Sequence, residues 1–275
     1  MSAPPVDFDQ LLRSCIHCGL CLNDCPTYRL TGDEAQSPRG RLMVLRQLID
    51  PRDESIWSPS RGPLDSCLGC RGCETVCPSG VPYGQLLDEG RRRRPDPEDR
   101  SARQVRLLSR HVLPHRRLLA VLAILGRVAA STRIPTGSFA RLLSTLPSRR
   151  AHWPRVRGPR EGSVAILAGC AQPVFTPGVL PATVGLLRAA GAQPFVPRHQ
   201  GCCGALAAHA GDLDRARAMG RRMIEVFDRA EAVVVPSAGC SAHLTRLGEL
   251  FAEDPDWGAR ASDLAGRTVD LVVWL

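Results

Sequence analysis

Cys15, Cys18, Cys21 and Cys25 are followed by Pro26, and the same rhythm returns as Cys67, Cys70, Cys73 and Cys77 before Pro78. Thiolates are ligands for soft metals, and Cys-x2-Cys-x2-Cys-x3-Cys-Pro is the ligand run of a [4Fe–4S] cluster. Two-residue spacers let a tight turn aim three sulfurs at one face of a cube. The fourth thiolate lies one residue further along, and the proline behind it turns the chain away. In chains with two clusters that fourth thiolate reaches the other cube. The spacing therefore predicts Cys15, Cys18, Cys21 and Cys77 around a first cluster, and Cys67, Cys70, Cys73 and Cys25 around a second. Peptide N–H groups of Gly19, Gly69 and Gly72 are expected to help tune the sulfurs. His17 is read as a flanking residue, since thiolates already fill the iron sites.

Other uses of cysteine fit less well. With 12 cysteines in 275 residues, three more at fixed offsets from a given one coincide on the order of 10^-4 of the time. Structural zinc takes two separated Cys-x-x-Cys pairs per ion, and a zinc-stabilised binding module stays open only as the reading of another class. A disulfide framework belongs to short secreted chains. Met1 to Gln10 carries Asp7, Asp9 and two prolines in place of an apolar signal segment, so a cytoplasmic chain with reduced thiols is expected.

Formal charge is +9, and every cation other than histidine is arginine. No helix-turn-helix, zinc-finger or aromatic-stacking pattern accompanies those arginines, which argues against nucleic acid as a partner. Two cubes with four thiolates each carry about two negative charges apiece and offset part of the excess. The remainder suits an acidic partner or an anionic membrane face. Leu118 to Leu125 is the most apolar stretch, but Gly126 and Arg127 interrupt it, well short of the roughly 20 residues that span a bilayer. Flanked by Arg116, Arg117, Arg127 and Arg133, it reads as a packed helix, with a peripheral surface helix as the alternative.

The elements that must position the cysteines follow from pattern. Residues 1–100 form a two-cluster domain. Its insert holds Ser37-Pro38-Arg39-Gly40-Arg41 and then Leu42, Met43, Leu45, Leu48 and Ile49 at helical spacing. Ser37 is expected as N-cap with proline in the first turn, so this domain is of a helical kind. Arg39 and Arg41 are read as partner-binding or solvent-facing, Glu34 as a loop acid. Tyr83 to Gly90 starts a helix, and Arg91 to Arg100 reads as a solvated surface segment. Residues 101–162 form a helical, Arg-rich connector, with Pro/Arg/Gly-rich sequence from 147 marking a boundary. From 163 to 275 short apolar runs (Val164 to Ala168, Pro194 to Pro197, Ala232 to Val235) alternate with helical stretches near 178–190 and 212–229, the pattern of a parallel α/β sheet. The fold class is thus α+β multidomain.

Cys170, the Cys202-Cys203 pair and Cys240 all fall just past the carboxyl ends of these strands, the edge where an open α/β sheet gathers ligands. Gly169, Gly201, Gly204 and Gly239 beside them let backbone approach something bulky. One such cysteine would be an ordinary buried small residue; four in matching positions point to a metal or redox site. His199 and His243 flank them, as loop residues or as substitute ligands.

The spacing Cys170-x31-Cys202-Cys203-x36-Cys240 resembles the cysteine-rich "CCG" module of heterodisulfide reductases and relatives. That family closes its motif with Cys-x-x-Cys, where this chain has Cys240-Ser241-Ala242-His243. The order of modules resembles the iron–sulfur subunits of bacterial glycolate oxidase (glycolate dehydrogenase). Cys25-Pro-Thr-Tyr28, Ser37-Pro-Arg-Gly-Arg41, Cys77-Pro-Ser-Gly-Val-Pro-Tyr83-Gly84 and Gly201-Cys-Cys-Gly-Ala205 carry the likeness. The resemblance implies two [4Fe–4S] clusters, an additional iron–sulfur centre in the CCG module, and a second CCG module beyond Leu275, relative to which this chain is truncated. It implies a wire within an oxidoreductase complex. A flavin-containing dehydrogenase subunit would oxidise glycolate to glyoxylate, and electrons would pass singly toward a quinone or other membrane acceptor. It also places the chain in the cytoplasm, with peripheral attachment to the inner membrane. Heterodisulfide-reductase-like, lactate-utilisation and anaerobic glycerol-3-phosphate dehydrogenase complexes are the alternatives. No nucleotide fingerprint or Ser/His/Asp signature is present, so substrate chemistry is not expected from this chain alone.

Overall fold

The computed structural model describes residues 8–47, 62–93, 107, 110–131, 154, 156 and 163–275. The segment 94–100, most of the connector's first part and most of the 147–162 boundary lie outside them. The chain divides into two compact units, residues 1–98 with 208–212 and residues 99–207 with 213–275.

Among its described residues the first unit is helical. α1 (Phe8–Arg13), α2 (Pro26–Thr31) and α3 (Pro38–Gln47) come first. A short helix over 62–66, α4, follows, then α5 (Gly72–Thr75) and α6 (Tyr83–Arg93). The Ser37 hydroxyl accepts from the Gly40 N–H at 3.0 Å, capping α3 as the sequence predicts. Leu42 and Leu45 of α3 pack with Leu12, Leu64, Leu86 and Leu87 in one apolar core. Gly40 lets α3 approach the 34–36 turn and Gly90 lets α6 approach α3: a Cβ on Gly40 would press on the Glu34 carbonyl oxygen, and one on Gly90 on Leu45 Cδ2.

Two arginines depart from their expected surroundings. Arg91, read as solvated, is buried in α6, where its Nη2 donates to the carbonyls of Leu64 (2.6 Å) and Cys67 (2.8 Å). Arg41, read as partner-binding or solvent-facing, is 1% exposed. Composition signals polarity in both cases, but long side chains can bury their stems and spend their donors on loop carbonyls.

The second unit holds a four-stranded parallel sheet. Its strands are β1 (Ser163–Ile166), β2 (Gln193–Phe195), β3 (Ala232–Val235) and β4 (Thr268–Asp270), in the order β2-β1-β3-β4. Ala165 pairs with Phe195 on one side and Val233 on the other. Successive residues serve opposite faces: Val164, Ile166 and Val234 pack with Leu180, Val184 and Leu187. Ala165, Leu167, Val233 and Val235 pack with Met223, Phe227, Leu247 and Phe251. Coverage on both faces explains the unbroken apolar runs of these strands. β4 lies outside the three strands the pattern predicts, because its residues are few and half-polar.

Helices α7 (Arg116–Ser131), α8 (Gln172–Phe175), α9 (Val179–Ala189), α10 (Ala205–His209) and α11 (Leu213–Phe227) precede α12 (Ala238–Leu244), α13 (Leu247–Leu250), α14 (Gly258–Gly266) and α15 (Leu271–Trp274). α7 buries Leu119 and Ala123 but exposes Leu118, Val121, Leu122 and Leu125, so only one of its faces is packed. Among the described residues no helix is long and apolar enough to cross a membrane.

Candidate metal centres

The two cysteine runs adopt the same turn. Positive φ recurs at the second and fourth residues after the first cysteine of each: His17 (56°) and Gly19 (82°), then Gly69 (65°) and Arg71 (55°). A residue with a Cβ costs about 1–2 kcal/mol in that conformation, so His17 and Arg71 are held there by their surroundings. The His17 carbonyl accepts from Arg39 Nη1 at 3.2 Å, and its Nε2 lies 3.2 Å from Arg46 Nη1. Arg71 pairs with Asp88 at 3.8 Å.

These turns shape two hollows. One, of about 300 Å³, is lined by Cys15, Cys18, Cys21 and Cys77, with Arg39 on its wall. The other, of about 290 Å³, is lined by Cys25, Cys67, Cys70 and Cys73, with Arg41 and Tyr83. Three cysteines of one run thus share each hollow with the last cysteine of the other. Four soft sulfurs around a space, rather than around a point, are a donor set that a cubane cluster would fit. Among the described residues no three His, Cys, Asp or Glu side chains are arranged to hold one metal ion.

Hydrogen-bond donors aim at the sulfurs. The Val81 N–H reaches Cys77 Sγ at 3.5 Å, the Tyr83 hydroxyl reaches Cys67 Sγ at 3.5 Å, and Arg41 Nη1 reaches Cys25 Sγ at 3.7 Å. Burial works to raise the Cys25 thiol, but hydrogen bonds from Thr27, the Tyr28 backbone and Arg41 outweigh it and hold it below its ordinary value. Cys73 and Cys21 are pushed up, foremost by burial. Metal binding would have to supply the charge that makes those thiolates affordable. Glu34 is not a bare loop acid: it takes Arg39 at 2.6 Å and the Ser37 hydroxyl at 2.9 Å. Arg39 foremost holds its carboxyl below the usual range.

In the second unit the four remaining cysteines converge past the carboxyl ends of β1, β2 and β3. Cys170 Sγ donates to Cys202 Sγ at 3.6 Å, and Cys203 Sγ to Cys240 Sγ at 3.2 Å. These bonds come first among the causes that push Cys170 up and hold Cys202 and Cys240 down; Cys203 is pushed up foremost by a hydrogen bond with Cys202 and next by that with Cys240. The four sulfurs thus lie in two close pairs, with Cys170, Cys202 and Cys203 buried and Cys240 partly so. His243 lies close enough for its charge to lower Cys202 as well, and a Cβ on Gly204 would meet its Nε2 at 3.3 Å. His199 is exposed; its carbonyl accepts from Arg222.

Sequence reasoning missed the residues that gather these loops. The Gln200 amide accepts from the Ala168 N–H (2.7 Å) and donates to the Ile166 carbonyl (2.9 Å), continuing the β1 ladder with a side chain. Gln172 Nε2 donates to the Pro236 carbonyl at 2.9 Å, tying the Cys170 loop to the loop before Cys240. Their only signal was proximity to cysteines. Arg41 and Tyr83 were likewise invisible as sulfur partners.

Comparison with known proteins bears on both units. Residues 11–81 match the 4Fe-4S dicluster domain, and residues 164–245 the cysteine-rich domain called CCG. Over 98% of its length the chain is 33% identical to the glycolate oxidase iron-sulfur subunit of Escherichia coli K12, covering 67% of that protein. It is also 33% identical to a probable glycolate oxidase iron-sulfur subunit of Bacillus subtilis, covering 64% of it. The chain thus spans about two thirds of the length of these relatives. Lactate utilization protein A of Shouchella clausii is 37% identical over 41% of the chain. No solved structure matches. The cysteine-bearing regions are those of an iron–sulfur protein.

Proposed function

The chain belongs to the family of glycolate oxidase iron–sulfur subunits, and from that premise we propose that it is the electron-transfer subunit of a glycolate-oxidising complex. The observation that carries this reading is the pair of hollows, each ringed by four cysteines drawn from both runs. Cys15, Cys18, Cys21 and Cys77 would hold one [4Fe–4S] cluster, and Cys67, Cys70, Cys73 and Cys25 a second. Clusters bound there take up and release single electrons. The chain's own residues do the rest: thiolates anchor, the Val81 N–H, Tyr83 hydroxyl and Arg41 guanidinium polarise sulfur, and the apolar core behind them limits water.

Electrons would come from a flavin-containing partner that converts glycolate to glyoxylate and leave toward a quinone. Cys170, Cys202, Cys203 and Cys240 form a further redox or iron–sulfur site. The domains would run 1–100, 101–162 and 163–275. Attachment is peripheral, on the cytoplasmic face of the inner membrane; the exposed stripe of Leu118, Val121, Leu122 and Leu125 beside Arg117, on a chain of charge +9, supports an anionic lipid surface. A lactate-oxidising complex is the second reading, supported by the likeness to lactate utilization protein A.

Anaerobic purification tests the proposal. A brown protein with about eight irons and matching sulfide from the first unit is expected, copurifying with a flavoprotein that reduces an artificial acceptor with glycolate. A colourless or zinc-only preparation refutes it, and reduction by lactate in place of glycolate favours the second reading.

A further inference from the structure

A buried cation lines the second hollow. Arg41 is 1% exposed, and none of its hydrogen-bond partners is a carboxylate. Nε donates to the Pro63 carbonyl at 2.6 Å; Nη2 donates to Thr27 Oγ1 (2.9 Å), Gln36 Oε1 (3.1 Å) and Ser66 Oγ (3.1 Å). Nη1 points at Cys25 Sγ. A buried cation is tolerated only when something of opposite sign compensates it, and every oxygen to which Arg41 donates is neutral. The remaining candidate is the sulfur, with whatever anionic group the sulfurs of that hollow hold.

Among the described residues that line the other hollow there is no buried arginine. Its arginine, Arg39, is already neutralised by Glu34, with contacts at 2.6 and 3.2 Å. Further groups on the second hollow's wall change little: Arg71 is paired with Asp88, and Asp24 is exposed, so water screens it. Burial of Cys25 and Cys73 favours the less charged state of a cluster, which opposes Arg41. The same burial leaves the Arg41 charge unscreened, and Tyr83 adds a donor to Cys67.

We propose that Arg41 is the internal counter-ion of the Cys25/Cys67/Cys70/Cys73 centre and makes it the higher-potential of the two, so that electrons run from the Cys15/Cys18/Cys21/Cys77 hollow toward it. Arg41 is a positioning and tuning residue, not a ligand. The step transfers one electron between centres, with no bond made or broken; in the complex the reductant is a reduced flavin and the final oxidant a quinone. This rests on the iron–sulfur reading above.

The test is an anaerobic redox titration of the loaded full chain, followed by electron paramagnetic resonance, with dithionite as reductant. Cys18→Ser and Cys70→Ser, both at exposed positions, assign the two signals. In the unaltered protein the signal disturbed by Cys70→Ser should reduce first. In Arg41→Gln its oxidised-to-reduced ratio at fixed potential should rise at least tenfold, about 59 mV for one electron, while the other signal holds still; Arg41→Lys should restore most of the shift. The order in the unaltered protein decides the matter even if Arg41→Gln does not fold. Two intact signals in the reverse order, or a signal that Arg41→Gln leaves in place, overturn the inference and leave the iron–sulfur reading standing. A protein without iron overturns both.

Discussion

Cys25 belongs to the first run by sequence and to the second hollow by position. Replacing it tests the exchange directly. Cys25→Ser should abolish or broaden the resonance assigned to the second hollow while the first keeps at least most of its intensity; loss confined to the first would refute crossed ligation. Cysteine offsets were legible because they are local intervals, and a turn that satisfies one run satisfies its copy. The surroundings of the sulfurs were not. Nothing in the letters around Arg41 says that its guanidinium is buried, because burial is fixed by α3 meeting the segment 25–36, which holds α2, and α4 at 62–66. His17 and Arg71 make the same point, since a left-handed residue with a side chain is paid for by neighbours distant in sequence.

At the scale of elements, two glycines separate backbone contact from side-chain contact. Gly40 sits against the Glu34 carbonyl, Gly90 against a Leu45 methyl. Gly40→Ala should cost about 1–3 kcal/mol and weaken Arg41's hold on the second hollow, because the 34–36 turn must retreat. Gly90→Ala should stay within about 1 kcal/mol of the parent, since Leu45 can turn and alanine favours helix. Urea unfolding of the loaded protein compares them; a costlier Gly90→Ala would contradict the contact picture. Three of the four strands were legible from apolar runs covered on both faces. β4 was not, because Thr268-Val269-Asp270 carries no run, and its place beside β3 comes from pairing alone. The gathering of Cys170, Cys202, Cys203 and Cys240 followed from strand ends, whereas the Gln172 and Gln200 ties that draw those loops together depend on side-chain reach.

For the whole molecule, charge is the property that survives assembly. Two proposed centres of about two negative charges each would leave roughly half of the +9 uncompensated. Loaded protein should therefore bind vesicles rich in anionic lipid at low salt and lose at least about tenfold of that affinity between 50 and 500 mM salt. Cosedimentation measures it, and equal binding to neutral vesicles would argue against an electrostatic attachment. The two units part between residues 98 and 99, whereas the change of composition marks a boundary at 147–162, most of which lies outside the described residues. The shared hollows have one more consequence, which concerns birth rather than work. While a ribosome has released Cys21 but not Cys77, the nascent first loop has three of its sulfurs and lacks the last. Clusters held as proposed could not be sealed until translation had passed both runs, so each would be completed in a nearly finished domain and not in two instalments.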